Sequence, residues 1–182
     1  MKFLSFIEKI RALLQSPEAY ARSKGVKMGK GCFFSTKEIP TEGYLIEIGD
    51  YVRVASHTSF YTHGGLWSIR KYYKDNDLDW FGKIKIGSYT SIGAHCMIMP
   101  GVTIGERVIV GGGSVVTKSV PDGVMVAGNP ARIVGRTDDF YRKVKEKYDM
   151  GCKRMSAEEK HKYLLTQPEE KFIKKGYFKE DK

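Results

Sequence analysis

Among the histidines of this 182-residue chain, His63 stands where acid–base chemistry is easiest to stage. It lies in Tyr61-Thr62-His63-Gly64-Gly65, at the head of a stretch, GGLWSIRKYYKDNDLDWFGK, that holds both tryptophans, two tyrosines and four aspartate or asparagine residues. An imidazole titrates near neutrality, so it suits removal of a proton from a hydroxyl, which is a weak nucleophile until that proton is taken. The glycine pair leaves room beside it for two substrates. Trp67, Tyr72, Tyr73 and Trp80 could stack on a ligand ring or anchor the loop, and their types leave both roles open. His57 and His95 share an outward position, three residues past Val54 and Ile92, and read as solvent or contact residues. Cys32, Cys96 and Cys152 are odd in number and match no zinc spacing, so they read as reduced thiols, with Cys96 as inward filler.

What must position His63 is a repeat. Aliphatic residues return every six positions at Ile86, Ile92, Ile98, Ile104, Val110 and Val116. Four residues after each comes a second small or β-branched side chain: Thr90, Cys96, Val102, Val108, Ser114 and Val120. A period of six fits neither an amphipathic helix nor an alternating strand. It fits a short strand, a turn and a fresh strand on the next face of a triangular prism, with both residue sets pointing inward and three hexads closing a coil. Gly87, Gly93, Gly105 and Gly111 follow the aliphatic directly, where the backbone bends and a Cβ would cost most. Coils stacked at about 4.8 Å pair their backbones above and below, so the stack is stable where one coil is not.

The register reaches back past the histidine. Ile48, Val54 and Phe60 keep the step of six, with Val52 and Thr58 as inward partners, while a looser start at Gly25 is interrupted from Ser35 to Tyr44. Phe60 to Ile86 is 26 residues, not a multiple of six, so residues 64–83 must leave the prism as an excursion loop. Long loops on rigid scaffolds carry function. The predicted organisation is an N-terminal helical cap over 1–24, a β-helix domain over 25–135 and a helical tail over 136–182. The cap carries Phe3, Phe6, Ile7, Ile10, Leu13 and Leu14 on one stripe, stops or restarts at Ser16-Pro17, and would cover the open end of the first coil or lie on a membrane surface. The tail reads as two short helices broken at Gly151 and Gln167-Pro168, with Ser156 and Glu159 spaced as a capping box.

This pattern resembles the left-handed parallel β-helix of the hexapeptide-repeat acyltransferases. The closing segment VVTKSVPDGVMVAGNPARIVG looks like the last coil of that family's acetyl-CoA-dependent sugar O-acetyltransferases. The likeness runs from about Gly25 to Gly135. It implies an all-β core, a left-handed parallel β-helix with an N-terminal helix, one long excursion loop and a helical tail. The left hand comes from the resemblance, because chain physics favours right-handed crossovers. It further implies acetyl transfer to a sugar hydroxyl in capsule, exopolysaccharide or lipopolysaccharide biosynthesis, in a ternary complex with His63 as general base. Acetyl-CoA enters as co-substrate and no metal is expected. The family's CoA contacts fall on Ala94, Gly111, Gly112, Thr117, Lys118 and Arg132: small residues let a pantetheine arm approach the backbone, and Lys118 and Arg132 would meet phosphates. Trp67, Tyr72 and Trp80 are the acceptor candidates. The family's homotrimers place active sites between subunits, so His63 of one protomer would face CoA held against its neighbour. The family commonly has Asp between this histidine and the glycine pair; here it is missing, which leaves Glu47, Asp50 and Ser35 as candidates for orienting the imidazole. Many relatives carry tryptophan where this chain has Ser91, so one wall of the cofactor groove differs.

Competing readings have less behind them. The γ-type carbonic anhydrases bind zinc through three histidines, but Pro100 stands where a second would follow His95. A sugar N-acyltransferase remains an alternative, as does a non-catalytic assembly protein, which would need neither His63 nor a CoA-type ending. The net charge of +10 does not indicate nucleic acid, since basic residues alternate with acids as in EKYDMGCKRMSAEEKHK and no binding module is present. A basic surface suits CoA, a nucleotide sugar or peripheral contact with the anionic cytoplasmic membrane face. The opening MKFLSFIEKIRALL is interrupted by Lys2, Glu8, Lys9 and Arg11, so no signal peptide or spanning helix is expected and the chain is placed in the cytoplasm.

Overall fold

The computed structural model describes residues 14–177. The stripe Phe3, Phe6, Ile7, Ile10 and Leu13 lies outside the described residues; Leu14 is inside and exposed. The chain forms two compact units, residues 1–137 and 138–182.

In the first unit the hexads become strands of two to four residues on three faces, closed by a five-residue strand. One sheet is four-stranded, β1 (Lys27–Met28), β3 (Ile46–Ile48), β6 (Ile84–Ile86) and β9 (Thr103–Ile104). A three-stranded sheet holds β5 (Ser59–Phe60), β8 (Met97–Ile98) and β11 (Val115–Val116). The third face stacks β2 (Phe33–Phe34), β4 (Arg53–Val54), β7 (Ser91–Ile92), β10 (Ile109–Val110), β12 (Val124–Ala127) and β13 (Arg132–Arg136). All pairings between these strands are parallel except the last, where β13 folds back antiparallel on β12.

The inward ladders are those the spacing predicts. Phe60, Ile98 and Val116 pair in register on one face and Val54, Ile92, Val110 and Val126 on another, all buried. The second inward set is buried too, and its polar members explain why hydroxyls are tolerated there. The Thr58 and Thr90 hydroxyls each donate to the corner carbonyl of the next coil, Gly93 O and Gly105 O, at 2.8 Å. No buried side-chain N or O among the described residues lacks a partner.

A Cβ is costly at the corner glycines, as the sequence suggests, but through close approach and not through left-handed backbone. The left-handed backbone falls at the third residue of the turn, in Tyr51, His57, Tyr89, His95, Arg107 and Gly113. Gly87 and Gly93 are required by close approach instead, since a Cβ on either would sit 2.5 Å from backbone of the next coil.

Helix α1 (Pro17–Ser23) restarts the chain where Ser16-Pro17 predicts, with the Ser16 hydroxyl accepting from Ala19 N–H. The Glu18 carboxylate accepts the Phe34 N–H at 2.9 Å, and Arg22 donates to Met28 O and Gly29 O, so the helix satisfies edge groups of the first coil. Residues 64–83 leave the prism as expected but are not wholly irregular: helix α2 (Trp67–Tyr73) forms in a run without glycine or proline and ends at Lys74 in the left-handed region. Around the second unit's boundary begins α3 (Thr137–Lys147), and further on α4 (Ala157–Leu165) starts from a reciprocal capping box between Ser156 and Glu159.

Candidate active site

His63 follows β5 at the corner between the three- and four-stranded sheets. Its neighbour Thr62 is fully buried, whereas the imidazole is 46% exposed. The group that orients it is Glu42, from the end of the interruption between β2 and β3. Glu42 Oε2 lies 3.0 Å from His63 Nδ1, and the same oxygen accepts the Thr62 hydroxyl at 3.2 Å. The Thr41 hydroxyl donates to the other carboxylate oxygen at 2.7 Å. That Thr41 bond, with smaller contributions from His63 and Thr62, holds the Glu42 carboxyl below its ordinary range despite partial burial. A carboxylate only accepts, so its place beside Nδ1 favours the hydrogen on that nitrogen, which would leave the Nε2 lone pair to take a proton from a ligand.

This corrects the sequence reading. Glu47 pairs instead with Lys27 at 3.4 Å and Lys85 at 3.9 Å, Asp50 accepts the Lys30 N–H at 2.9 Å, and Ser35 is exposed with its N–H on Val54 O. Glu42 was hidden because it sits 21 positions before His63, in an interruption that carries no repeat signal; Thr-Glu beside a turn was the available hint.

The returning arm of the excursion runs antiparallel to the histidine. His63 bridges Phe81, and Gly82 N–H donates to Thr62 O at 2.7 Å. The Phe81 ring is tilted 59° to the imidazole at a centroid distance of 5.7 Å. Trp80 spends its indole N–H on Gly64 O at 2.9 Å, and Arg70 clasps Asp79 at 2.8 Å and donates to Leu78 O, so the arm is stapled. Of the acceptor candidates, Trp80 is thus brought beside His63. Trp67 and Tyr72 project from α2, 73% and 78% exposed.

The residues assigned to the cofactor fall into two groups flanking the three-stranded sheet. Ala94 and Gly112 meet at one corner, where Gly113 N–H donates to Ala94 O and a Cβ on Gly112 would lie 3.2 Å from that oxygen; Gly111 packs there against Ala127. Thr117 and Lys118 occupy the opposite corner. Lys118 and Arg132 line one cleft of about 420 Å³ with Val116, Ser119, Val120 and Ala131. The parallel register of β5, β8 and β11 puts the His63 and Lys118 turns on the same prism edge, two coils or about 10 Å apart. A larger cleft, about 700 Å³, runs along Lys27, Glu47, Lys85 and Thr103 and contains neither His63 nor Lys118. His57 and His95 stack at 4.8 Å, with His57 Nδ1 at 3.5 Å from Glu38.

Comparison with known proteins bears on the family and the fold. Residues 83–118 match the family described as bacterial transferase hexapeptide (six repeats). Protein CapG of Staphylococcus aureus is 42% identical over 149 residues, covering 80% of this chain and 85% of CapG. Galactoside O-acetyltransferase of Escherichia coli K12 is 29% identical over 128 residues, 70% of this chain and 62% of that protein. A putative acetyltransferase of S. aureus Mu50 is 38% identical over 114 residues, and this chain spans 56% of its length. Among solved structures, a hexapeptide-repeat acetyltransferase from Vibrio cholerae superposes with a TM-score of 0.55 at 31% identity, over 62% of this chain and 63% of that one. The chain belongs to the hexapeptide-repeat acetyltransferases, and its stacked parallel sheets fit a left-handed β-helix. Within that family it is an acyltransferase enzyme.

Proposed function

We propose that the protein transfers an acetyl group from acetyl-CoA to a sugar hydroxyl of a capsule, exopolysaccharide or lipopolysaccharide, in a ternary complex. The single observation that carries this is the His63–Glu42 pair, with Nδ1 3.0 Å from the carboxylate and the imidazole 46% exposed. His63 takes the acceptor's proton as its oxygen attacks the thioester carbonyl, then returns that proton to the departing sulfur, while Glu42 stabilises the transient imidazolium. Acetyl-CoA supplies the activated acyl group. Ala94, Gly111 and Gly112 would receive its pantetheine arm against backbone, and Thr117, Lys118 and Arg132 its phosphates. Names among the relatives support the acceptor class: galactoside O-acetyltransferase, and a maltose O-acetyltransferase from Clostridium difficile at 26% identity and TM-score 0.50.

In this reading residues 25–135 are the catalytic domain, residues 1–24 a cap, residues 136–182 a tail, and the active unit is a homotrimer working in the cytoplasm, with peripheral contact at the membrane face. Among the described residues no helix is long and apolar enough to cross a membrane. His63→Ala is expected to bind CoA nearly as the wild type does and to lose roughly 100-fold or more in kcat. Unchanged turnover would remove His63 from the chemistry.

A further inference from the structure

The excursion contains four exposed aromatic side chains besides the one that touches the imidazole, and the geometry separates their roles. Trp67, Tyr72 and Tyr73 belong to α2. Tyr72 and Tyr73 pack edge to face on each other at 4.9 Å, and the Arg70 side chain ties α2 to the returning arm at Leu78 and Asp79. Trp80 has its indole N–H committed to Gly64 O. Phe81 differs from all of these. Its backbone is fixed on both sides, by the bridge to His63 and by Gly82, where a Cβ would lie 2.2 Å from Gly101 N. Its ring nevertheless stays 51% exposed. A large apolar face left half in water at a rigid position costs hydrophobic free energy, and here it stands beside the proposed base. The turn that follows His63 is open as well: a Cβ on Gly64 or Gly65 would meet nothing within 4 Å.

We propose that Phe81 is the platform on which the acceptor's sugar ring stacks, so that a ring hydroxyl meets His63 Nε2 across the gap above Gly64 and Gly65. A pyranose presents C–H bonds on its face and hydroxyls on its rim. Laid on an aromatic ring it buries the face and points the rim sideways, toward a base about one ring-width away. The two rings stand 5.7 Å apart at a tilt of 59°, and Phe81 stays 51% exposed, so apolar surface is open to a ligand beside the imidazole. Acceptor choice is then set by the rigid returning arm and not by the tip of α2. This inference rests on the proposed sugar acetyl transfer and names the residue that selects the ring.

The test compares a cyclic acceptor with an open-chain one. Acetyl transfer is measured to a methyl hexopyranoside and to a linear polyol of the same carbon number. Phe81→Ala is expected to raise KM for the pyranoside roughly tenfold, the scale of one lost ring stack, and to leave KM for the polyol and for acetyl-CoA within about twofold. Phe81→Tyr should retain the pyranoside KM, and Phe81→Leu, which keeps apolar bulk without a flat face and guards against misfolding, should fall between. An equal rise for both acceptors, a Trp67→Ala effect as large as that of Phe81→Ala, or a displaced pH profile of kcat/KM in Phe81→Ala would overturn the assignment; the last would make Phe81 a prop for the imidazole. Wild-type enzyme that acetylates neither acceptor, nor any glycan in a screen of thiol release, would bring down the functional reading itself and this inference with it.

Discussion

At the scale of residues, the proposed catalysis rests on two hydroxyls and a carboxylate set around one imidazole. Thr41 and Thr62 bind separate oxygens of Glu42, so the carboxylate cannot rotate away from Nδ1. Glu42→Gln preserves the shape but removes the charge that stabilises imidazolium. Its kcat should fall roughly tenfold or more, with the KM for acetyl-CoA near that of the wild type; equal kcat would leave Glu42 a purely structural acid. The pH dependence has a definite sign. Because the folded-state carboxyl is held below its ordinary range, Glu42 contributes stability that is present above that range and lost as pH falls through the lowered value. The difference in Tm between wild type and Glu42→Gln should therefore be largest near neutrality and shrink below about pH 4. A difference that grows on acidification would contradict this.

At the scale of elements, two kinds of glycine divide the molecule into frame and site. Gly93 lies where a Cβ would come 2.5 Å from the backbone of the next coil, so Gly93→Ala must push two coils apart and should cost about 1–3 kcal/mol by thermal or denaturant unfolding. Gly64 has no neighbour within 4 Å of its missing Cβ. Gly64→Ala should unfold within about 0.5 kcal/mol of the wild type while weakening acceptor use, because the room it fills belongs to the ligand. If Gly64→Ala were as destabilising as Gly93→Ala, the open space would be a structural feature and not a substrate site. This division also marks what the sequence could tell. The ladders from Ile48 to Val116 were legible because a prism wall forces an aliphatic inward at each sixth residue, and the corner that carries His63 was legible because the count breaks just after it. Glu42 and Phe81 were not, since each comes from a stretch that has left the repeat and meets His63 only after folding. The hexad spacing says that a chain departs from a corner, not where its side chains return. The αL corner residues were obscured for a related reason: glycine marks the tight approach between coils, while tyrosine, histidine and arginine occupy the positive-φ position two residues later.

At the scale of the whole molecule, the proposed chemistry joins residues that the parallel register sets on two edges of the prism. Within one protomer His63 shares an edge with Lys118, and Ala94 with Gly112 lies on the next edge across the three-stranded sheet. A thioester held along that sheet presents its reactive end to an imidazole most readily when a second prism supplies it, which is why the proposed assembly is a trimer with sites between protomers. The decisive measurement is acetyl-transfer activity of trimers refolded from equal amounts of His63→Ala and Arg132→Ala chains, each nearly inactive alone. Shared sites predict recovery of about a quarter of wild-type activity, the fraction of interfaces that pair an intact His63 with an intact neighbouring Arg132. Mixtures no more active than the separate variants would contradict the account and return the whole site to a single protomer.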